Sequence, residues 1–178
     1  MSDIILGDKV LSSSAYSHVI AVPQAKIDIA DWLFYLAEAE YQRCCPPDHI
    51  SCGSTFTDDG TRMSINVEMI GQTLMIQHYV AETATPHLCR MVSTSDAFTP
   101  NGRARVQIIW TLSVKPVDDT HCEYTNSVIA PIPPRRSWTS SPRITSASNR
   151  PPPPGNKTVG TTIGAKLLST RRASHAGR

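Results

Sequence analysis

From Ile50 to Val128 apolar and polar residues alternate in short runs separated by turn residues. The plainest run is Met63-Ser64-Ile65-Asn66-Val67-Glu68-Met69, in which every second side chain is apolar. Successive side chains of a strand leave on opposite faces, so strict period two predicts a half-buried β-strand. The pattern predicts six strands in close order, at residues 49–57, 61–69, 73–82, 87–98, 103–114 and 121–129. Asp59-Gly60 and Gly71-Gln72 suit tight hairpin turns, and Thr99-Pro100-Asn101-Gly102 makes a four-residue turn.

Each turn predicts a register. Across Asp59-Gly60 it sets Phe56 opposite Met63, Ser54 opposite Ile65 and Cys52 opposite Val67. Across Gly71-Gln72 it sets Met69 opposite Leu74, Val67 opposite Ile76 and Ile65 opposite His78. Across the longer turn Met91 meets Trp110 and Ser93 meets Ile108, while Leu112–Tyr124 and Trp110–Asn126 complete the set. Within each hairpin these registers collect the apolar residues on one face, and a slip of one residue would scatter them. The sheet is expected to bury that face as its inner surface.

Ahead of the sheet, residues 1–15 read as a loosely held arm and His18 to Val22 as a short strand stopped by Pro23. Ile29, Trp32, Leu33 and Leu36 then recur at helical spacing, and Asp28 suits an N-cap, so one helix or two short ones are expected. Cys45-Pro46-Pro47 ends that segment, because proline supplies no donor and restricts the residue before it. A strand, a helical segment and a six-stranded meander make an α+β domain over residues 16–130. Its apolar face calls for a further cover, normally a long helix.

Composition changes the picture at one end. The chain has 178 residues and a net charge of +2, yet no Asp or Glu follows Glu123. Nine Lys and Arg lie in residues 131–178, leaving eight against fifteen acids before them, a net of −7. An acidic body argues against nucleic-acid binding, which needs clustered Lys and Arg. There is no basic start followed by an apolar run, and no apolar stretch of about 20 residues that would span a bilayer. Five cysteines without CxxC spacing read as reduced thiols of a cytoplasmic protein.

The order strand, helical segment, six strands resembles the START-like, or SRPBCC, superfamily with its helix-grip fold. The resemblance rests on His18-Val19-Ile20-Ala21-Val22-Pro23, on Asp31-Trp32-Leu33, and on Gly102-Arg103-Ala104-Arg105-Val106 running into Trp110-Thr111-Leu112. It implies a curved sheet gripping a C-terminal helix, with an apolar ligand between them. The superfamily includes plant hydrophobic-ligand carriers, lipid-transfer domains, polyketide aromatases and cyclases, and catalytic domains of ring-hydroxylating oxygenases.

Residues 131–178 depart from it. They hold eight of the fourteen prolines, including Pro151-Pro152-Pro153-Pro154, and only Ile163 to Leu168 hints at a helix. This composition predicts disorder. Three readings stand: a Pro/Arg-rich segment for an acidic or proline-recognising partner, a passive extension, or out-of-frame translation of a GC-rich, bacterial-type gene from near Ala130. The last accounts for both the loss of acids and the proline run, since shifted alanine codons of such a gene read as proline.

The chemistry sits in the polar exceptions on the expected inner face. His78, between Leu74-Ile76 and Val80, is the candidate catalytic residue, because an imidazole titrates near neutrality. Ser54, Ser93, Trp110, Tyr124 and Asn126 are the candidate ligand-binding residues, since ligand cavities are mostly apolar with a few placed polar groups. Scattered histidines give no metal site, and no GxSxG, P-loop or GxGxxG occurs. No cofactor is expected. The reading is a domain that binds a small apolar or aromatic molecule, with a homo-oligomer left open. Its alternatives are a cofactor-independent cyclase, dehydratase or lyase of aromatic-compound metabolism, and a protein-interaction subunit.

Overall fold

The structure is a computed structural model and describes residues 10–132. Seven antiparallel strands form one sheet. Strand β1 is Val10–Ile20, followed by a 3-10 turn at Gln24–Lys26 and helices α1 (Ile29–Phe34) and α2 (Glu38–Cys44). The meander follows as β2 (His49–Phe56), β3 (Arg62–Ile70), β4 (Thr73–Thr85), β5 (Leu88–Thr99), β6 (Gly102–Pro116) and β7 (Cys122–Pro131). Their order across the sheet is β1-β7-β6-β5-β4-β3-β2, so the first strand closes beside the last.

The helical segment breaks where its sequence provides the signals. The Asp28 carboxylate accepts the Asp31 N–H at 2.8 Å and caps α1, as its position before the apolar stripe implies. Ile29, Trp32 and Leu33 turn into the sheet and join Met91, Leu112 and Tyr124 in the main core. Tyr41 anchors α2 against the start of β2.

Strand β1 is longer than its sequence suggests. It begins at Val10, within the expected arm, and pairs with β7 from Val10–Pro131 to Ile20–Cys122. Ser12-Ser13-Ser14 carries no alternation to announce a strand. Its hydrogen bonds come from a strand about a hundred residues away. The expectations for the chain after Ile132, including the covering helix, fall outside the described residues.

Two registers differ from those expected. Strand β2 pairs with β3 as Phe56–Arg62, Ser54–Ser64 and Cys52–Asn66, one residue away from the sequence reading. The cause is the turn. The Gly60 N–H donates to the Thr57 carbonyl, Gly60 has φ 82°, and the Thr57 N–H donates to Thr61, giving a three-residue loop instead of two. Strand β6 meets β7 as Leu112–Asn126 and Val114–Tyr124, two residues along, which leaves the faces unchanged. The β3–β4 and β5–β6 registers are those the sequence implies.

The larger difference is which face lies inside. Ile76 pairs with Asp96 and Val80 with Val92, so Met75, Gln77 and Tyr79 share a face with the buried odd-numbered residues of β5. Across β3 that face carries Ser64, Asn66 and Glu68. Ile65, Val67, Met69, Leu74 and Ile76, expected inside, lie half-buried on the outer face. Alternation defines two faces but does not say which one the helices cover.

Candidate functional site

Between the helices and the inner face of the sheet lies a cavity of about 420 Å³. Ligand pockets of this order hold a small molecule rather than a chain. One wall is apolar: Trp32, Leu33 and Leu36 from the helical segment, with Ile108, Trp110 and Val128 from β6 and β7. Another part of the lining is polar: Ser54, Ser64, Asn66, Glu68 and Gln77 from β2, β3 and β4. Tyr41, His49 and Tyr79 also reach it.

The polar wall has a charged end. Strand β2 carries a bulge between His49 and Ser51, which brings His49 opposite Glu68 and turns Ile50 outward. A bulge of this kind re-aims one side chain without ending the strand. The His49 ring stacks on Tyr41, with centroids 3.9 Å apart and planes 7° from parallel. Its Nδ1 lies 2.8 Å from the Tyr41 backbone carbonyl. A carbonyl only accepts, so Nδ1 carries a proton. In the neutral ring this leaves the Nε2 lone pair facing Glu68 Oε2 across 3.6 Å.

Burial disfavours charge at both partners. It raises the Glu68 carboxyl above the ordinary glutamate range, with Asp48 adding to the shift and the Gln77 and Tyr41 side chains opposing it. It lowers His49 below the ordinary imidazole value, against the opposing influence of the Tyr41 carbonyl and Asp48. Burial, then the nearby Glu68 charge, pushes the Tyr41 hydroxyl upward. That hydroxyl is buried in the cavity wall, makes no well-aligned hydrogen bond, and lies close enough to Glu68 to favour its charged form. Buried polar atoms are rarely left so.

Of the six residues singled out from sequence, Ser54, Trp110, Tyr124 and Asn126 line the cavity. Trp110 donates its indole N–H to Asn126 Oδ1 at 2.8 Å, which fixes both side chains. Ser54 reaches the cavity because the altered β2–β3 register and the exchanged faces of β3 compensate. His78 and Ser93 do not line it. His78 falls between the inward Gln77 and Tyr79 and pairs with the outward Ile65, so its side chain lies on the outer face.

Ser93 has a structural part instead. It is 1% exposed, accepts the His78 backbone N–H at 2.8 Å and stands 3.0 Å from the Ser95 hydroxyl. Ser93→Ala strands a buried donor and is expected to cost about 1–3 kcal/mol of stability, measured by urea unfolding. An unchanged midpoint would contradict it.

Sequence reasoning passed over Glu68, His49, Tyr41, Asn66 and Gln77. The inner-face residues among them read as the solvent side of alternating strands, and His49 as one of several scattered histidines. A signal was present only in hindsight of the fold: β3 has three polar residues on one face and a carboxylate among them.

Burial lifts the Cys52 and Cys89 thiols to about 11, so both are held as neutral thiols. Among the described residues no cluster of His, Cys, Asp and Glu is arranged to hold a metal, and no helix is long and apolar enough to cross a membrane.

The architecture recurs in solved structures. A START superfamily protein from Mycobacterium smegmatis aligns at 14% identity, covering 91% of this chain and 97% of that one, with a TM-score of 0.51. Norcoclaurine synthase from Thalictrum flavum, solved as a point mutant with a transition-state analogue, aligns at 12% identity over 93% and 96% of the two chains, with a TM-score of 0.55. No protein-family profile and no curated protein matches the chain. The fold of the described residues is START-like, as in these solved structures.

Proposed function

We propose that the cavity binds a small apolar or aromatic molecule, with its flat body on the apolar wall and a polar end toward Glu68. The observation that carries this reading is the mixed lining of the cavity: Trp32, Leu33 and Trp110 share a space of ligand size with Asn66, Glu68 and Gln77. Tyr124 and Asn126 flank the same space and orient the ligand.

The probe is β-naphthol, a two-ring molecule with one hydroxyl, titrated by calorimetry. Saturable one-to-one binding is expected. Ser54→Phe, at an exposed position on the cavity border, is expected to weaken it about tenfold, equivalent to about 1.4 kcal/mol, with no loss of stability. Equal affinity of the two proteins, or no binding at all, would sink the reading.

A second reading is an enzyme without cofactor, of the cyclase, dehydratase or lyase kind, acting on an aromatic substrate. The approach of His49 to Glu68 inside the cavity favours it.

A further inference from the structure

We propose that Glu68, with His49 behind it and the Tyr41 hydroxyl beside it, is an acid–base centre that moves a proton at the carbon next to the carbonyl of a flat cyclic ketone. The inference rests on the ligand-binding reading above and adds a chemical step to it.

Three independent features converge. The bulge in β2 is spent on bringing His49 to Glu68, because an unbroken ladder sets Ile50 in that place. The Tyr41 carbonyl holds the His49 Nδ1 proton, so the Nε2–Oε2 gap of 3.6 Å takes one further proton, on His49 or on Glu68. The Tyr41 hydroxyl sits in the cavity wall beside Glu68 without a well-aligned hydrogen bond, although its ring is held between α2 and His49. A buried donor beside a carboxylate, not locked into a well-formed hydrogen bond, suits a ligand oxygen.

The step balances without any co-reactant. The Glu68 carboxylate takes a proton from the α-carbon of the ketone. The C–H electron pair becomes the new C=C bond, and the carbonyl π pair moves onto oxygen. That oxygen, now carrying the charge, accepts the Tyr41 O–H hydrogen bond. The proton on Glu68 passes to His49 Nε2 and exchanges with water, and return of a proton to carbon restores the ketone. The apolar wall of Trp32, Leu33 and Trp110 takes the rings. The other titratable groups facing Glu68 are Asp48 and Cys45 from the loop before β2 and Tyr79 from β4.

The probe is α-tetralone, a two-ring ketone with one enolisable CH₂, incubated with the full chain in deuterium oxide and followed by proton NMR. Well-placed acid–base groups give roughly a hundredfold or more over buffer, and wild-type protein is expected to speed deuterium wash-in by that order. Glu68→Gln, which keeps size and hydrogen bonding, is expected to return the rate to background while α-tetralone still binds. Tyr41→Phe, which keeps the ring stacked on His49, is expected to lower the rate about tenfold by removing one oxyanion donor. Exchange by the wild type should rise with pH as Glu68 ionises, and that rise should vanish in Glu68→Gln. Binding without accelerated exchange, or acceleration that survives Glu68→Gln, overturns the centre and leaves the ligand reading standing. Failure of the wild type to bind α-tetralone or β-naphthol overturns both.

Discussion

Leu112→Ala is expected to destabilise the domain by about 2–5 kcal/mol, the range for truncating a fully buried leucine. Leu112 is 0% exposed and stands at the centre of β6, with Cys89 opposite it on β5 and Asn126 opposite it on β7. Its neighbours in the core come from α1 as well as from the sheet, so the space it leaves is bounded by three strands and a helix. None of the strands can close on it without breaking a ladder. Urea unfolding at neutral pH reads the change, and a loss below about 1 kcal/mol would show that the helices collapse onto the sheet. Domains of this size are stable by only about 5–15 kcal/mol, so the variant would lie near the limit of folding.

The second large effect is a pH dependence. Burial raises the Glu68 carboxyl in the folded state above its unfolded value. Between those two values the folded chain holds a proton that the unfolded chain has released, so stability falls as pH rises. Each unit of displacement is worth about 1.4 kcal/mol. Glu68→Gln removes this titration. The variant is expected to gain on the wild type as pH rises from about 4, the ordinary carboxylate range, and the gain should level off above the folded value. His49 works in the opposite sense. Its folded value is lowered by burial, so its contribution is present above about 6.5 and is lost as pH falls through the folded value. His49→Gln is expected to remove that decline. Unfolding curves from about pH 4 to 8, which span the ordinary values of both groups, test the pair. A stability difference between Glu68→Gln and wild type that stays flat with pH would mean that Glu68 is as well solvated folded as unfolded.

Glu68 escaped sequence reading because alternation names no inner face, and His49 because only the bulge in β2 brings it opposite Glu68. Alternation in β3 is perfect, and a perfect alternation is unchanged when the two faces are exchanged. The hairpin around Gly71 was legible, down to the pairing of Ile65 with His78, because two residues of turn leave one register. The face was not legible, because it depends on how β4 meets β5 through the turn at Pro86-His87 and a bulge between Ala81 and Thr83. Once Tyr79 packs beside Trp110, at 5.2 Å between ring centroids, the whole of β3 follows and presents Ser64, Asn66 and Glu68 to the cavity. His78 leaves the cavity by the same step. Trp110, Tyr124 and Asn126 were legible because β5, β6 and β7 follow the ordinary rule of apolar residues inward.

The sequence by itself determined the strands of the meander, the β3–β4 and β5–β6 registers and the capped helix at Asp28, because these follow from local periodicity, turn residues and cap chemistry. The START-like architecture was legible only as a resemblance of the whole element order. Tertiary structure alone decided that the opening strand extends back to Val10, that β3 turns its polar face inward, and that His49 meets Glu68. Those outcomes depend on hydrogen bonds and packing between segments far apart in the chain. A bulge of one residue is enough to choose which side chain faces the cavity.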